Sequence, residues 1–262
     1  MNGLVIRLPG YFTDLTIPKL YRDKVITEGT KYCFDSKDTY SYSKQAAPAA
    51  GLDVWKNLLD GGPSASFSGV LGFNDGFSLF TTANEFITLP TAGIAPADAD
   101  AFVAILWIKL GDPVVSGGAA VLVAGSGYST ANNQYSLTWS NKELRTHVGG
   151  WQATVVYPTD VVSTDVYQFA MSMKKRAVDG KYDLKCFVNG QLRNSSISAF
   201  TEIPQPVGAA YQAPTIGNGP AYATVNWAGT VYRALFDNCS VKTAEELVAL
   251  DYAENRVRIK GA

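Results

Sequence analysis

Histidine is nearly missing from this chain. Of 262 residues one is His, three are Cys, three are Met, and charged residues reach only 17%. The lone His147, with neither a serine elbow nor a cysteine partner, does not support a nucleophilic triad. Cys33, Cys186 and Cys239 lie far apart, with no CxxC or other metal spacing, and an odd number leaves one thiol unpaired in a monomer. Buried free thiols are the expectation, which suits folding in a reducing compartment. A formal net charge of -1 offers no electrostatic footprint for a phosphate backbone, so nucleic acid is not an expected partner. No apolar run approaches the roughly 20 residues of a membrane helix. The longest, Ala101 to Ile108, has the length of a buried strand, and no membrane insertion is expected. The opening MNGLVIRLPGYFTDL lacks a basic lead, and Pro9 and Gly10 cut its apolar stretch, so no secretory leader is expected.

What the chain does have is period-two alternation. Tyr135, Leu137 and Trp139 alternate with Gln134, Ser136 and Thr138, and Tyr167, Phe169, Met171 and Met173 with Gln168, Ala170, Ser172 and Lys174. Tyr182, Leu184, Cys186 and Val188 alternate with Asp183, Lys185, Phe187 and Asn189. Each segment is expected to bury one face and wet the other, as antiparallel sandwich strands do. Asp179-Gly180 and Asn189-Gly190 supply the positive φ of hairpin turns. Phe102 to Ile108 is apolar on both faces, as expected of a strand in the middle of packed layers. Thr243-Ala-Glu-Glu246 is a capping box, and Leu247, Val248 and Leu250 give the one short C-terminal helix its apolar stripe.

Residues 1–30 have little periodicity and contain Pro9 and Pro18, which predicts an extended N-terminal arm. Its Tyr11, Phe12, Leu15, Ile17, Leu20 and Tyr21 are expected to pack on another chain or to strap back over the domain. Residues 31–262 are expected to form a single domain. Within it, 31–66 either join the sandwich or make a separate collar.

Over residues 52–255 the chain resembles the laminin-G-like, or concanavalin A-like, jelly-roll superfamily, found among lectin-like modules and phage virion proteins. Val54-Trp55-Lys56-Asn57-Leu58, Leu71-Gly72-Phe73 and Asn84 to Pro90 look like the opening strands. Phe102 to Leu110, with Trp107 and Lys109, is similar to the family's central strand. Tyr167 to Met173 and Asp183 to Gly190 resemble its paired strands ending in a V-N/D-G turn. Ile216-Gly217 and Trp227 to Asn238, followed by the capped helix, resemble its close. The resemblance implies an all-β, antiparallel jelly-roll β-sandwich. It implies no chemistry by itself, because relatives include lectins, adhesion modules, glycosidases and virion components.

Jelly-roll glucanases carry their carboxylates in an E-x-D-x-E strand pattern that puts all three on one face, and this chain has none. Glu245 and Glu246 belong to the helix cap, Asp98 and Asp100 to a loop beside Pro96, and Asp179 and Asp183 to a hairpin. No D-x-D-x-D-G loop occurs, Asn74-Asp75-Gly76 reads as a turn, and no metal or cofactor is expected. Gly125-Ser-Gly127 and Gly217-Asn-Gly219 read as loops. His147 is expected to face solvent beside Arg145. For sugar contact the candidates are Tyr128, His147, Trp151, Tyr211 and Tyr222, in or beside loops, where rings can stack on sugar faces. The leading expectation is a non-catalytic structural protein of a phage virion, a capsid-decorating, tail or baseplate module folded in the host cytoplasm. Its partners would be other virion proteins or copies of itself, with surface glycans as further partners. The alternatives are a carbohydrate-binding lectin-like module and, behind it, a polysaccharide-degrading enzyme.

Overall fold

The computed structural model describes residues 21–79, 85–111, 120–124, 134–140, 143–148, 151–156, 161, 164–205, 213–217 and 228–261, with the backbone alone for 120–124, 140 and 151–156. Its strands in chain order are β1 (Thr30–Asp35), β2 (Val54–Trp55), β3 (Ala65–Ser68), β4 (Gly72–Phe73), β5 (Phe77–Leu79), β6 (Phe86–Thr88), β7 (Ala101–Lys109) and β8 (Ala120–Ala124). There follow β9 (Ser136–Ser140), β10 (Glu143–Val148), β11 (Trp151–Val156), β12 (Val166–Lys175), β13 (Tyr182–Val188), β14 (Gln191–Ile197), β15 (Thr215–Gly217) and β16 (Gly229–Asp237), then a helix, α1 (Ala244–Lys260).

They form two antiparallel sheets. The first runs β14-β13-β12-β7-β16-β5-β4, with β1 sharing the β16 edge that carries β5. The second runs β11-β10-β9-β8-β15-β6-β3-β2. Between them lies an aromatic-rich core. Phe77 contacts Tyr42, Trp55 and Phe67 at ring-centroid distances of 4.7, 4.9 and 4.6 Å. Trp55 of β2, Phe67 of β3 and Tyr32 and Phe34 of β1 belong to this core, so residues 31–66 are part of the sandwich and not a collar.

The local chemistry acts as its residue types dictate. Asn189 (φ 53) and Gly190 (φ 79) make the positive-φ turn between β13 and β14, and a Cβ at Gly190 would fall 3.0 Å from Tyr252 Cβ of α1 and 3.1 Å from its ring. Asn74-Asp75-Gly76 closes the β4–β5 hairpin through Asn74 N–H donating to the Gly76 carbonyl at 3.0 Å. Gly217 ends β15, whereas Gly125-Ser-Gly127 and residues 218–219 lie outside the described residues. Thr243 caps α1 with both arms of the capping box in place, and the helix runs on past Leu250 to Lys260. It is not a membrane span: among the described residues no helix is long and apolar enough to cross a bilayer.

The inner faces are those that the alternation marks, but the expectation of wetted outer faces requires correction. Gln168, Ala170, Ser172 and Phe187 are all buried, because α1 and residues 21–29 lie across the outside of the first sheet. Val25, Ile26, Leu247 and Val248 pack there on Val103, Ile105, Leu235 and Cys33. That layer explains why β7 is apolar on both faces. Ser136 and Thr138 of β9 in the second sheet, and Gln134 just before it, are buried as well. Of the expected arm, residues 21–30 thus form part of the packed domain, with Tyr21 partly buried against the same cluster. Tyr11, Phe12, Leu15, Ile17 and Leu20 lie outside the described residues. All three cysteines are free, Cys33 and Cys186 buried and Cys239 half-buried.

A polar network ties this third layer to the sheet. Arg233 of β16, 0% exposed, donates to Asp251 at 2.8 Å, to Asp23 at 2.8 Å and to Asp35 at 3.1 Å. Asp251 also accepts from Trp107 Nε1 at 2.6 Å and Gln168 Nε2 at 2.8 Å, while Arg258 clamps Asp35. Burial acts to raise the Asp35 pKa, but hydrogen bonds and charge from Arg258 and Arg233 outweigh it and hold the carboxyl below its usual range.

Candidate functional site

At one end of the sandwich, where β7 begins and β16 ends, a partly open cleft of about 580 Å³ is walled by the loop before β7 and by the turn before α1. Its floor is apolar. Phe102 and Phe236 stack there with ring centroids 5.2 Å apart, and both are buried. The first wall is the segment that holds the 3-10 turn Thr91–Gly93 and Ile94 to Ala99. Three contacts make it rigid. The buried Gln134 amide clamps Ala95, accepting from its N–H at 3.0 Å and donating to its carbonyl at 2.5 Å. Tyr135 donates to the Gly93 carbonyl at 3.1 Å. Gly93 itself lies against the Tyr32 ring, where a Cβ would fall 2.5 Å from a ring carbon.

The second wall is Asn238-Cys239-Ser240. Its anchor is the buried Asp237 carboxylate, which accepts from the Thr27 and Thr30 hydroxyls at 2.8 Å each and from Cys239 N–H at 2.7 Å. Cys239 is thereby held at a φ of 55. Ser240 N–H donates to Asn238 Oδ1 at 3.2 Å, and Asn238 N–H to the Gly29 carbonyl at 3.1 Å. Burial, then the nearby Asp237 and Glu245 charges, push the Cys239 thiol up to about 12, so it stays protonated at neutral pH and is no nucleophile.

The polar lining is Lys31 from β1, Asp100, Asn238 and Ser240. Most retaining and inverting glycosidases use a pair of carboxyl groups across the bond they cleave, and sialidases, with a tyrosine nucleophile, do not. Among the described lining residues the cleft has one carboxyl group, Asp100. Among the described residues no group of three or more His, Cys, Asp or Glu could hold a metal ion. The arrangement suits noncovalent recognition of a polar molecule with an apolar face.

The residues singled out from the sequence lie elsewhere or out of view. His147 is on β10, on the outer face of the second sheet as its alternation requires, but it is half-buried rather than solvent-facing. Burial and the neighbouring Arg145 lower its pKa to about 4, so the ring is uncharged at neutral pH. Trp151 opens β11 opposite Val148 in register, which puts it on the strand next to His147. Tyr128, Tyr211 and Tyr222 lie outside the described residues. Lys31, Asn238 and Ser240 were missed. Their only sequence signals are a lysine inside an apolar strand and an Asn-Cys-Ser turn between a strand and a capping box.

No family model matches the chain, and no curated protein matches it by sequence. Solved structures do match it by shape. The Trypanosoma rangeli sialidase in complex with 2,3-difluorosialic acid shares 14% identity at a TM-score of 0.59, over 91% of this chain and 34% of that one. The binding domain of botulinum neurotoxin DC in complex with SialylT shares 9% identity at 0.56, over 87% and 52%. The binding domain of Paraclostridial Mosquitocidal Protein 1 shares 14% identity at 0.53, over 80% and 52%. The chain thus spans between a third and about half the length of these proteins. At such identities the likeness is one of fold, and the fold is an antiparallel β-sandwich with a C-terminal helix.

Proposed function

We propose that this chain is a non-catalytic carbohydrate-binding module of the lectin type, which holds its sugar in the end cleft. The preformed cleft carries the reading. Its walls are locked by Gln134, Tyr135 and Asp237, its floor is apolar, and a few polar groups converge on it. Small-ligand sites have that composition, and a sugar presents both an apolar face and a ring of hydroxyls to meet it. Support also comes from a similar fold, a toxin binding domain, solved in complex with SialylT.

A glycan array followed by titration at millimolar sugar tests this. Saturable binding is expected, and Ala92→Trp is expected to abolish it by filling the mouth of the cleft from an exposed turn position without lowering the melting temperature. Silence across a broad array would remove the reading.

A second reading, a structural module of a phage virion folded in the host cytoplasm, draws on the outer strand β14. Among the described residues this strand has a partner on one side only, and it exposes Leu192 by 48% and Ile197 by 56%. A strand at the end of a sheet can pair with a neighbouring chain. The informative truncation ends at residue 20, because removing 1–30 would strip Val25 and Ile26 from the outer core. Loss of an oligomer on removing residues 1–20, measured as mass in solution, is the result expected for assembly through the arm. An oligomer that survives the deletion would argue against it. The two readings are compatible, since a virion module can carry a glycan site.

A further inference from the structure

Resting on the glycan reading, we infer that Lys31 makes the end cleft selective for sugars that carry a carboxylate. Lys31 is placed by a defect in β-pairing. In the β1–β16 ladder Thr30 faces Asp237 and Tyr32 faces Phe236, with a register shift between them that leaves Lys31 as the extra residue. The flanking residues show the phase. Thr30 reaches Asp237, Tyr32 enters the inner core and Cys33 joins the outer cluster under α1. In unbroken alternation Lys31 would share Cys33's face and drive an ammonium into that apolar layer. The bulge lifts it out of both faces and into the cleft, and bulges commonly re-aim a side chain in this way beside a binding site.

The charge is available. Lys24, Lys37, Lys44 and Lys185 each pair with a carboxylate, whereas half-buried Lys31 has no ion pair among the described residues. The groups around it also donate. Asn238 and Ser240 line the cleft beside it, and the Asn238 NH₂ and the Ser240 hydroxyl are both donors, with Asn238 Oδ1 accepting from Ser240 N–H. Among the described polar side chains of the lining only Asp100, exposed on the opposite wall, is purely an acceptor, and it suits a sugar hydroxyl. An ammonium, an amide NH₂ and a hydroxyl together match an anionic acceptor with two oxygens. A charge-assisted hydrogen bond on a half-buried lysine is worth about tenfold or more in affinity. The carboxylate could belong to a sialic acid or to a uronic acid.

The test is calorimetric titration of the full chain with sialyllactose, its carboxyl methyl ester, lactose, and a glucuronate-terminated oligosaccharide with its neutral glucose counterpart. One of the two acids is expected to bind at least about tenfold tighter than its neutral counterpart. Lys31→Gln should erase that difference by weakening the acid about tenfold more than its neutral counterpart, and Lys31→Arg should retain it. The acid that shows the gap identifies the source of the carboxylate. Equal binding of acids and neutral counterparts, or a Lys31→Gln loss shared by both, would overturn the inference and leave the glycan reading standing. Absence of binding by every sugar would overturn both. The ester comparison needs no variant, so it decides the matter even if Lys31→Gln fails to fold.

Discussion

Replacing Arg233 with Met should cost the fold about 3–5 kcal/mol, because one change leaves three inward-facing carboxylates without their shared cation. Asp251, Asp23 and Asp35 all accept from that guanidinium, and Asp251 is fully buried. Trp107, Gln168 and Asn255 still hydrogen-bond Asp251, and Arg258 still clamps Asp35, but none of these neutralises Asp251. The loss should depend on pH in a definite direction. Asp35 has a lowered carboxyl pKa in the fold, so its contribution is complete above the ordinary carboxylate range and is lost as pH falls through the folded value. In the variant the cation that helps to lower it is gone, so the gap between wild type and variant should shrink as the solution is acidified into that range. Urea denaturation at neutral and acidic pH measures both. A neutral-pH loss below about 1 kcal/mol would show that the network is not what fastens the outer layer.

Phe77→Ala should cost a similar amount, about 3–5 kcal/mol. The Phe77 ring has Tyr42, Trp55, Phe67 and Phe73 around it at centroid distances between 4.6 and 5.3 Å, so its removal opens a hole at the junction of both sheets. The surroundings have little freedom to collapse into it. The adjacent Gly76 lies where a Cβ would fall 2.8 Å from the Val231 carbonyl, which fixes the β5 backbone against β16. Phe77→Leu keeps most of the volume and should cost no more than about half as much. Equal losses for the two variants in thermal or urea unfolding would mean that ring packing at this junction is not the source of the stability.

Much of the fold was legible in local chemistry. The β12–β13 and β13–β14 hairpins, the central position of β7 and the start of α1 follow from alternation, turn dipeptides and a capping box, all of which act over a few residues. The inner faces were legible for the same reason: Tyr167, Phe169, Met171 and Met173 differ in chemistry from their neighbours. What covers the outer faces was not. Gln168 reads as a wetted residue, yet it is buried because Asp251, 83 positions away, supplies its hydrogen-bond partner. The site shows the same divide. A ring beside a predicted loop is visible in sequence, and so Trp151 and the tyrosines stood out.

By itself, then, the sequence determined the antiparallel strands, their buried faces, the hairpin turns and the capped helix, because these depend on near neighbours. The tertiary structure alone decided that residues 21–29 and α1 make a third layer, and that Lys31, Asn238 and Ser240 share one cleft. Lys31 and Asn238 are distant in the chain and line one cleft because β1 pairs with β16, with a register shift in that pairing at Lys31 that alternation along the sequence does not reveal.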